Sequence, residues 1–170
     1  MQILVGAVAH PAAQIERAYR GVGRMCPALA EDIVAAAEHL QVSPYDLANL
    51  IHAESEFDPH RLGPGGRPVG LIQFTPDAAE DLGTSTRALL RMSAIEQMRY
   101  VQRYLEKYAP FSGKQALFMA VFRPASRHWH ADQPFPPAVV RANPGIRTPR
   151  DYVSWVERRA RLTSQGALKP

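Results

Sequence analysis

Cysteine is all but absent from this chain of 170 residues. Cys26 stands alone, which excludes an intramolecular disulfide and any zinc site built from several cysteines. Long hydrophobic runs are missing as well. The apolar stretch near the start, Ile3 to Ala9, has no basic residue before it and ends at His10-Pro11. It is too short to span a membrane and does not read as a signal peptide. Strand-like alternation of useful length, internal repeats and low-complexity tracts are also lacking. So is any compositional break that would mark a domain boundary, and the chain reads as one domain over 1–170 with 1–26 as an N-terminal extension. Neither sign of charge dominates. The net charge of +4 is a mild basic excess that suits an anionic partner. The Lys and Arg residues are scattered over many elements and not gathered on one helix, which argues against a nucleic-acid binder.

The apolar fraction of 46% and charged fraction of 21% are ordinary for globular proteins and exclude wholesale disorder. Punctuation is plentiful. Ser43-Pro44-Tyr45-Asp46, Thr75-Pro76-Asp77-Ala78 and Thr148-Pro149-Arg150-Asp151 each set a capping hydroxyl before a proline, the start of a helix. Ser93-Ala94-Ile95-Glu96 is a capping box. The patterns predict helices over 27–40, 44–55, 76–82, 94–108 and 114–122, and a last one from Pro149 carrying Tyr152, Val153, Trp155 and Val156. The Pro-rich stretch 131–147 reads as irregular. A small β-hairpin near 66–74 fits Val69, Leu71, Ile72 and Phe74. The fold class is therefore mainly α.

One carboxyl stands out. Glu54 follows Leu47 by seven positions, Leu50 by four and Ile51 by three, so on a helix it shares the face of the apolar stripe. A carboxyl at the inward end of such a stripe is desolvated, which raises its pKa and keeps it protonated near neutrality. Cleavage of a glycosidic bond needs such an acid, because the leaving sugar oxygen must receive a proton. Glu56, two residues on, falls on the other side and serves as an internal control. The competing reading of Glu54 is a helix-end acid paired with an arginine.

The context around Glu54 carries a resemblance. His52-Ala53-Glu54-Ser55-Glu56-Phe57-Asp58-Pro59 is followed by a Gly-rich loop. Gly70-Leu71-Ile72-Gln73-Phe74-Thr75-Pro76-Asp77-Ala78-Ala79 comes next, and Leu82-Gly83 closes the pattern. Over about residues 27–122 this resembles the soluble lytic transglycosylase and goose-type lysozyme family. The resemblance implies a lysozyme-like helical fold, peptidoglycan glycan strands as substrate, and Glu54 as catalytic acid and base. The family's later Ala-Tyr-Asn-Ala-Gly stretch is matched only by Ala120-Val121-Phe122-Arg123-Pro124-Ala125, where Phe122 and Arg123 replace the Tyr and Asn. With Arg141-Ala142-Asn143-Pro144-Gly145-Ile146 and the Thr148 to Val153 segment, this stretch looks like the variant in bacteriophage tail and virion-associated domains. A phage virion would then deliver the domain to the wall.

Around Glu54 the expected contacts are specific. Ser55 is placed to hydrogen-bond the Glu54 carboxyl, the alternative being a hydroxyl facing water. Gly70 would admit a sugar close to the backbone, the alternative being a plain turn residue. Gln73 would read an N-acetyl or hydroxyl group, Phe122 would pack on a sugar face, and Arg123 would hold an anionic substrate group against the cleft. A single carboxyl suffices for a lytic transglycosylase, whose nucleophile is tethered to the substrate. A hydrolase needs a second acid, for which Asp58 and Asp77 are candidates. A catalytically inactive glycan-binding or structural virion domain is the third reading, motivated by Phe122-Arg123.

Three decoys fall away. His52-Ala53-Glu54 matches half of the zinc deaminase signature but lacks its two cysteines. His128-Trp129-His130 offers two imidazoles without a third ligand. Gly63 to Gly66 lacks the lysine and hydroxyl of a phosphate-binding loop. No metal and no cofactor is expected.

Overall fold

The hydroxyl-proline pairs do start helices. Ser43 accepts from the Asp46 amide at 3.4 Å, Thr75 from the Ala78 amide at 3.2 Å, and Thr148 from the Asp151 amide at 3.3 Å. Ser93 and Glu96 complete their capping box, with the Glu96 carboxylate accepting from the Ser93 amide at 2.8 Å. The computed structural model describes residues 10–19 and 28–166. The run Ile3 to Ala9, Cys26 and Pro27 lie outside the described residues.

Among the described residues nine helices follow in order: α1 (Pro11–Ala18), α2 (Leu29–Leu40), α3 (Pro44–Ser55), α4 (Pro76–Asp81), α5 (Thr86–Leu89), α6 (Ala94–Glu106), α7 (Lys114–Phe122), α8 (Pro137–Ala142) and α9 (Pro149–Gly166). The fold is mainly α, as the periodicities imply. Helix α2 packs on α1, α3 and α6, while α9 lies across α3 and α7. The apolar stripes account for these contacts. Ile33, Ala37 and Leu40 of α2, and Leu47, Leu50 and Ile51 of α3, are buried, as are Met98, Val101 and Leu105 of α6. On α9 the buried residues Tyr152, Val156 and Ala160 recur every four positions, which makes one inward stripe.

Four elements differ from the sequence reading, among them the short helix α5, which Ser85 caps by accepting from the Ala88 amide. Residues Pro11–Ala18 of the N-terminal extension form α1, whose Ala12 and Ile15 are buried in the core with Tyr19 just beyond. The Pro-rich stretch contains α8, because a proline at the first helical position needs no amide partner and already has helical φ. The hairpin is absent. In its place stand two isolated bridges, Leu62 with Val69 and Val69 with Phe74, around a tight turn from Gly70 to Gln73.

Gln97, fully buried on α6, holds that turn in place. Its Oε1 accepts from the Leu71 amide at 3.0 Å, and its Nε2 donates to the carbonyls of Pro59 at 2.6 Å and Leu89 at 2.9 Å. A buried side-chain amide with both ends bonded ties α6 to the loop that follows α3. The loop in turn forms one wall of the cavity in front of Glu54.

Candidate functional site

Glu54 is the penultimate residue of α3, one turn beyond Leu50 and Ile51. The apolar stripe that buries those side chains carries Glu54 to the edge of the core, where it opens into a cavity of about 580 Å³. Glu54, Gln73, Phe122 and Arg123 all line this cavity. Its outer wall is apolar, from Ala138, Val139 and Ala142 of α8 and its end. A second cavity of about 310 Å³ adjoins it and shares Glu54, Pro64, Gln73, Phe122 and Asn143. Arg61, Leu62, Trp155 and Arg159 border that second lobe. The two lobes form a cleft with Glu54 at their junction.

Among the described residues, Glu54 is the only acidic one lining either lobe. Tyr152 of α9 donates its hydroxyl to Glu54 Oε1 at 2.5 Å. No other hydrogen bond to the carboxyl is present among the described residues, so Oε2 is the oxygen left for a ligand. Burial pushes the Glu54 pKa up to about 7, against the smaller lowering influences of the Tyr152 hydrogen bond and the positive charge of Arg159. The group is therefore poised between acid and base at neutral pH. It can give a proton to a leaving oxygen and take one back in a later step.

The environment of Tyr152 fixes that pair. Its ring lies between two aromatic neighbours: Phe122 stacks at 4.4 Å between centroids and Trp155 at 5.6 Å. The Arg159 guanidinium stands over the Trp155 ring at 5.2 Å and reaches Glu56 Oε1 at 3.3 Å. Glu56 is exposed and lines neither lobe. Burial and the adjacent Glu54 charge raise the Tyr152 phenol well above its ordinary range, so it acts as a donor and stays neutral.

Of the residues singled out in the sequence, Glu54, Gln73, Phe122 and Arg123 meet at the cleft. Gln73, held at φ 55°, donates from Nε2 to the carbonyls of Gly70 at 3.1 Å and Arg61 at 3.4 Å. Gly63 makes room for it: a Cβ there would stand 2.3 Å from Gln73 Oε1.

Ser55 takes another position, and Gly70 is the turn residue of its alternative reading. The Ser55 hydroxyl is buried and donates toward the carbonyls of Ile51 at 3.1 Å and Leu71 at 2.9 Å, not to Glu54. Adjacent residues on a helix point about 100° apart, so the neighbour of an inward carboxyl meets different partners. Gly70 is buried and lines neither lobe. With φ at 75° it sits against Gln97, where a Cβ would come within 2.3 Å of Oε1. Its absent side chain makes space for a core amide.

The sequence reading missed Tyr152, Trp155, Arg159 and Asn143 as cleft residues. Tyr152 and Trp155 show in the sequence only as part of the last helix's apolar face, and a hydroxyl on such a face was the available signal. Asp58 and Asp77, the candidates for a second acid, line neither lobe. Among the described residues, no group of three or more His, Cys, Asp and Glu side chains could hold a metal ion. No described helix is long and apolar enough to cross a membrane. Compared with known proteins, the chain matches no family model, no curated relative and no solved structure.

Proposed function

We propose that the chain is a lytic transglycosylase that cleaves the β-1,4 bond between N-acetylmuramic acid and N-acetylglucosamine in peptidoglycan, with Glu54 as its only catalytic carboxyl. The observation that carries this reading is the isolation of Glu54. One carboxyl with a pKa of about 7 stands at the junction of a two-lobed cleft that no second acid among the described residues lines. The motif resemblance around Glu54 and Gly70 to Phe74 supplies the substrate.

In the first step, protonated Glu54 gives its proton to the glycosidic oxygen as the bond to the muramic anomeric carbon breaks. The N-acetylglucosamine side leaves as an alcohol. Glu54, now a carboxylate, takes the proton of the muramic 6-hydroxyl. The 6-oxygen closes on its own anomeric carbon, forming a 1,6-anhydro ring and returning Glu54 to its acid form. A tethered nucleophile has a large entropic advantage over water. A hydrolase would need a second carboxylate to activate water, and Asp58 and Asp77 both lie outside the cleft. Tyr152 is a positioning residue that fixes the Glu54 rotamer and steadies its carboxylate.

Glycan strands would occupy the cleft, with Gln73 offering an amide at its junction and Leu62 an apolar platform in the smaller lobe. The phage-like variant of the motifs points to delivery by a virion.

Glu54→Gln tests the assignment. General acid catalysis contributes ~10²–10⁴-fold, so a folded variant should release almost no soluble fragments from purified peptidoglycan. Release at the wild-type rate would remove Glu54 from the mechanism.

A further inference from the structure

Among the described residues, the larger lobe has only one charged side chain besides Glu54, and it is Arg123. Its backbone is held on both sides. The Arg123 amide donates to the Met119 carbonyl at 2.8 Å as α7 ends, and its carbonyl accepts from the Ser126 amide at 2.9 Å. The side chain therefore leaves from a fixed root. Its guanidinium lies over the Trp129 ring at 5.7 Å, which holds it by one face.

That guanidinium has no carboxylate partner. None of the ion pairs among the described residues involves Arg123, and its Nε is buried without a hydrogen-bond acceptor. A buried donor left unmade is costly, and a charged one more so. Arg159 differs, since Glu56 already engages it. Glu54 does not serve Arg123 either. Its carboxyl is bonded by Tyr152, and the cation that lowers its pKa is Arg159. An arginine fixed at its root, stacked on one face and lacking an acceptor, in an apolar lobe next to the catalytic acid, is a site waiting for an anion.

We propose that Arg123 is the specificity-determining residue of this cleft and binds a carboxylate carried by the glycan strand. The inference rests on the glycan-cleaving reading of Glu54 and adds to it the kind of strand that is preferred. Planar, forked donors match a carboxylate in two parallel hydrogen bonds, and Arg does this where Lys cannot. Two sources on such strands share this chemistry: a carboxylate of the stem peptide, or the lactyl carboxylate of a muramic residue stripped of its peptide. With Glu54 largely neutral below pH 7, the lobe does not repel either.

The test is calorimetric binding in a Glu54→Gln background, which blocks cleavage. Four ligands of equal glycan length are compared: a tetrasaccharide with free-acid stem peptides, the same with amidated stems, the peptide-stripped tetrasaccharide, and uncharged chitotetraose. Loss of a bidentate charge-assisted pair should weaken binding by about tenfold or more in Arg123→Gln, for a ligand bearing the recognised carboxylate and not for the amidated or uncharged ones. Chitotetraose binding should change by less than about twofold. Arg123→Lys, which keeps the charge but not the fork, should fall between.

Selective loss on free-acid stems identifies the stem peptide as the source, and selective loss on the stripped strand identifies the lactyl group. Equal loss on all four ligands, or no loss on any, overturns the carboxylate site while leaving glycan binding intact. Failure of the Arg123-containing protein to bind any of the four overturns the glycan reading and this site with it. Circular dichroism of each variant separates lost binding from lost fold.

Discussion

Tyr152 and Glu54 are 98 positions apart in sequence and share a hydrogen bond of 2.5 Å at the centre of the cleft. The bond joins the last helix to the third. It gives the acid a fixed orientation, and it opposes the burial that would otherwise push the carboxyl further up.

Tyr152→Phe therefore has two expected effects. The donor that favours the carboxylate is lost, so the Glu54 pKa rises above about 7 and the alkaline limb of the pH–rate profile moves upward. The rate at the optimum falls by roughly tenfold or more, because the reacting oxygen is less well placed. Arg159→Ala should move the limb in the same direction, since that cation also lowers the Glu54 pKa. Arg123→Ala should leave the limb in place. A Tyr152→Phe limb that stays still or moves downward would contradict the assigned role.

Stability carries the same signature. Glu54 is raised from 4.5 to about 7 in the fold. A carboxyl raised in this way favours the native state while protonated. The stabilisation is complete below about 4.5 and is lost as pH rises through about 7. Relative to Glu54→Gln, the wild-type protein should lose on the order of 2–3 kcal/mol across that window, with cleft water reducing the figure. Denaturant unfolding of both proteins at pH 4 and pH 8 measures the difference. Parallel pH dependence in the two proteins would mean that Glu54 is not held in a desolvated site.

Gly63 and Gln73 should behave as one unit. A Cβ on residue 63 would meet Gln73 Oε1 at 2.3 Å, and the flexible end of Gln73 is what gives way. Gly63→Ala should therefore leave the fold standing and raise KM severalfold, much as Gln73→Ala should. The double variant should be no worse than either single one, because coupled residues are not additive. Independent, additive losses would show that Gly63 does not act through Gln73.

Local signals were legible in the sequence and long-range ones were not. The helix starts at Ser43, Thr75, Ser93 and Thr148 lie where their hydroxyls imply, because a cap is satisfied within a few residues. The inward setting of Glu54 followed from its spacing to Leu47, Leu50 and Ile51, a property of one helix. Helix α1 was hidden because its cap is His10, whose ring accepts weakly from the Ala12 amide, and α8 because Pro136-Pro137 looks like coil. Ser55 reads as a partner of Glu54 or as a hydroxyl facing water, yet it is buried and its hydroxyl turns back to the Ile51 carbonyl, a common habit of serine in helices. Gly70 reads as a close approach for a sugar or as a plain turn residue; it stands in the turn, and the partner that needs its bare backbone is Gln97 on α6. Tyr152 was invisible as the companion of Glu54 because only the crossing of α9 over α3 brings them together.

The most direct test of the central claim is mass spectrometry of a purified peptidoglycan digest made with the wild-type protein and with Glu54→Gln. If Glu54 acts alone as acid and then base, the wild-type digest carries 1,6-anhydromuramic ends, and the Glu54→Gln digest carries almost none. Reducing muramic ends in the wild-type digest would contradict the single-carboxyl mechanism, and an undigested wall would contradict the enzyme itself.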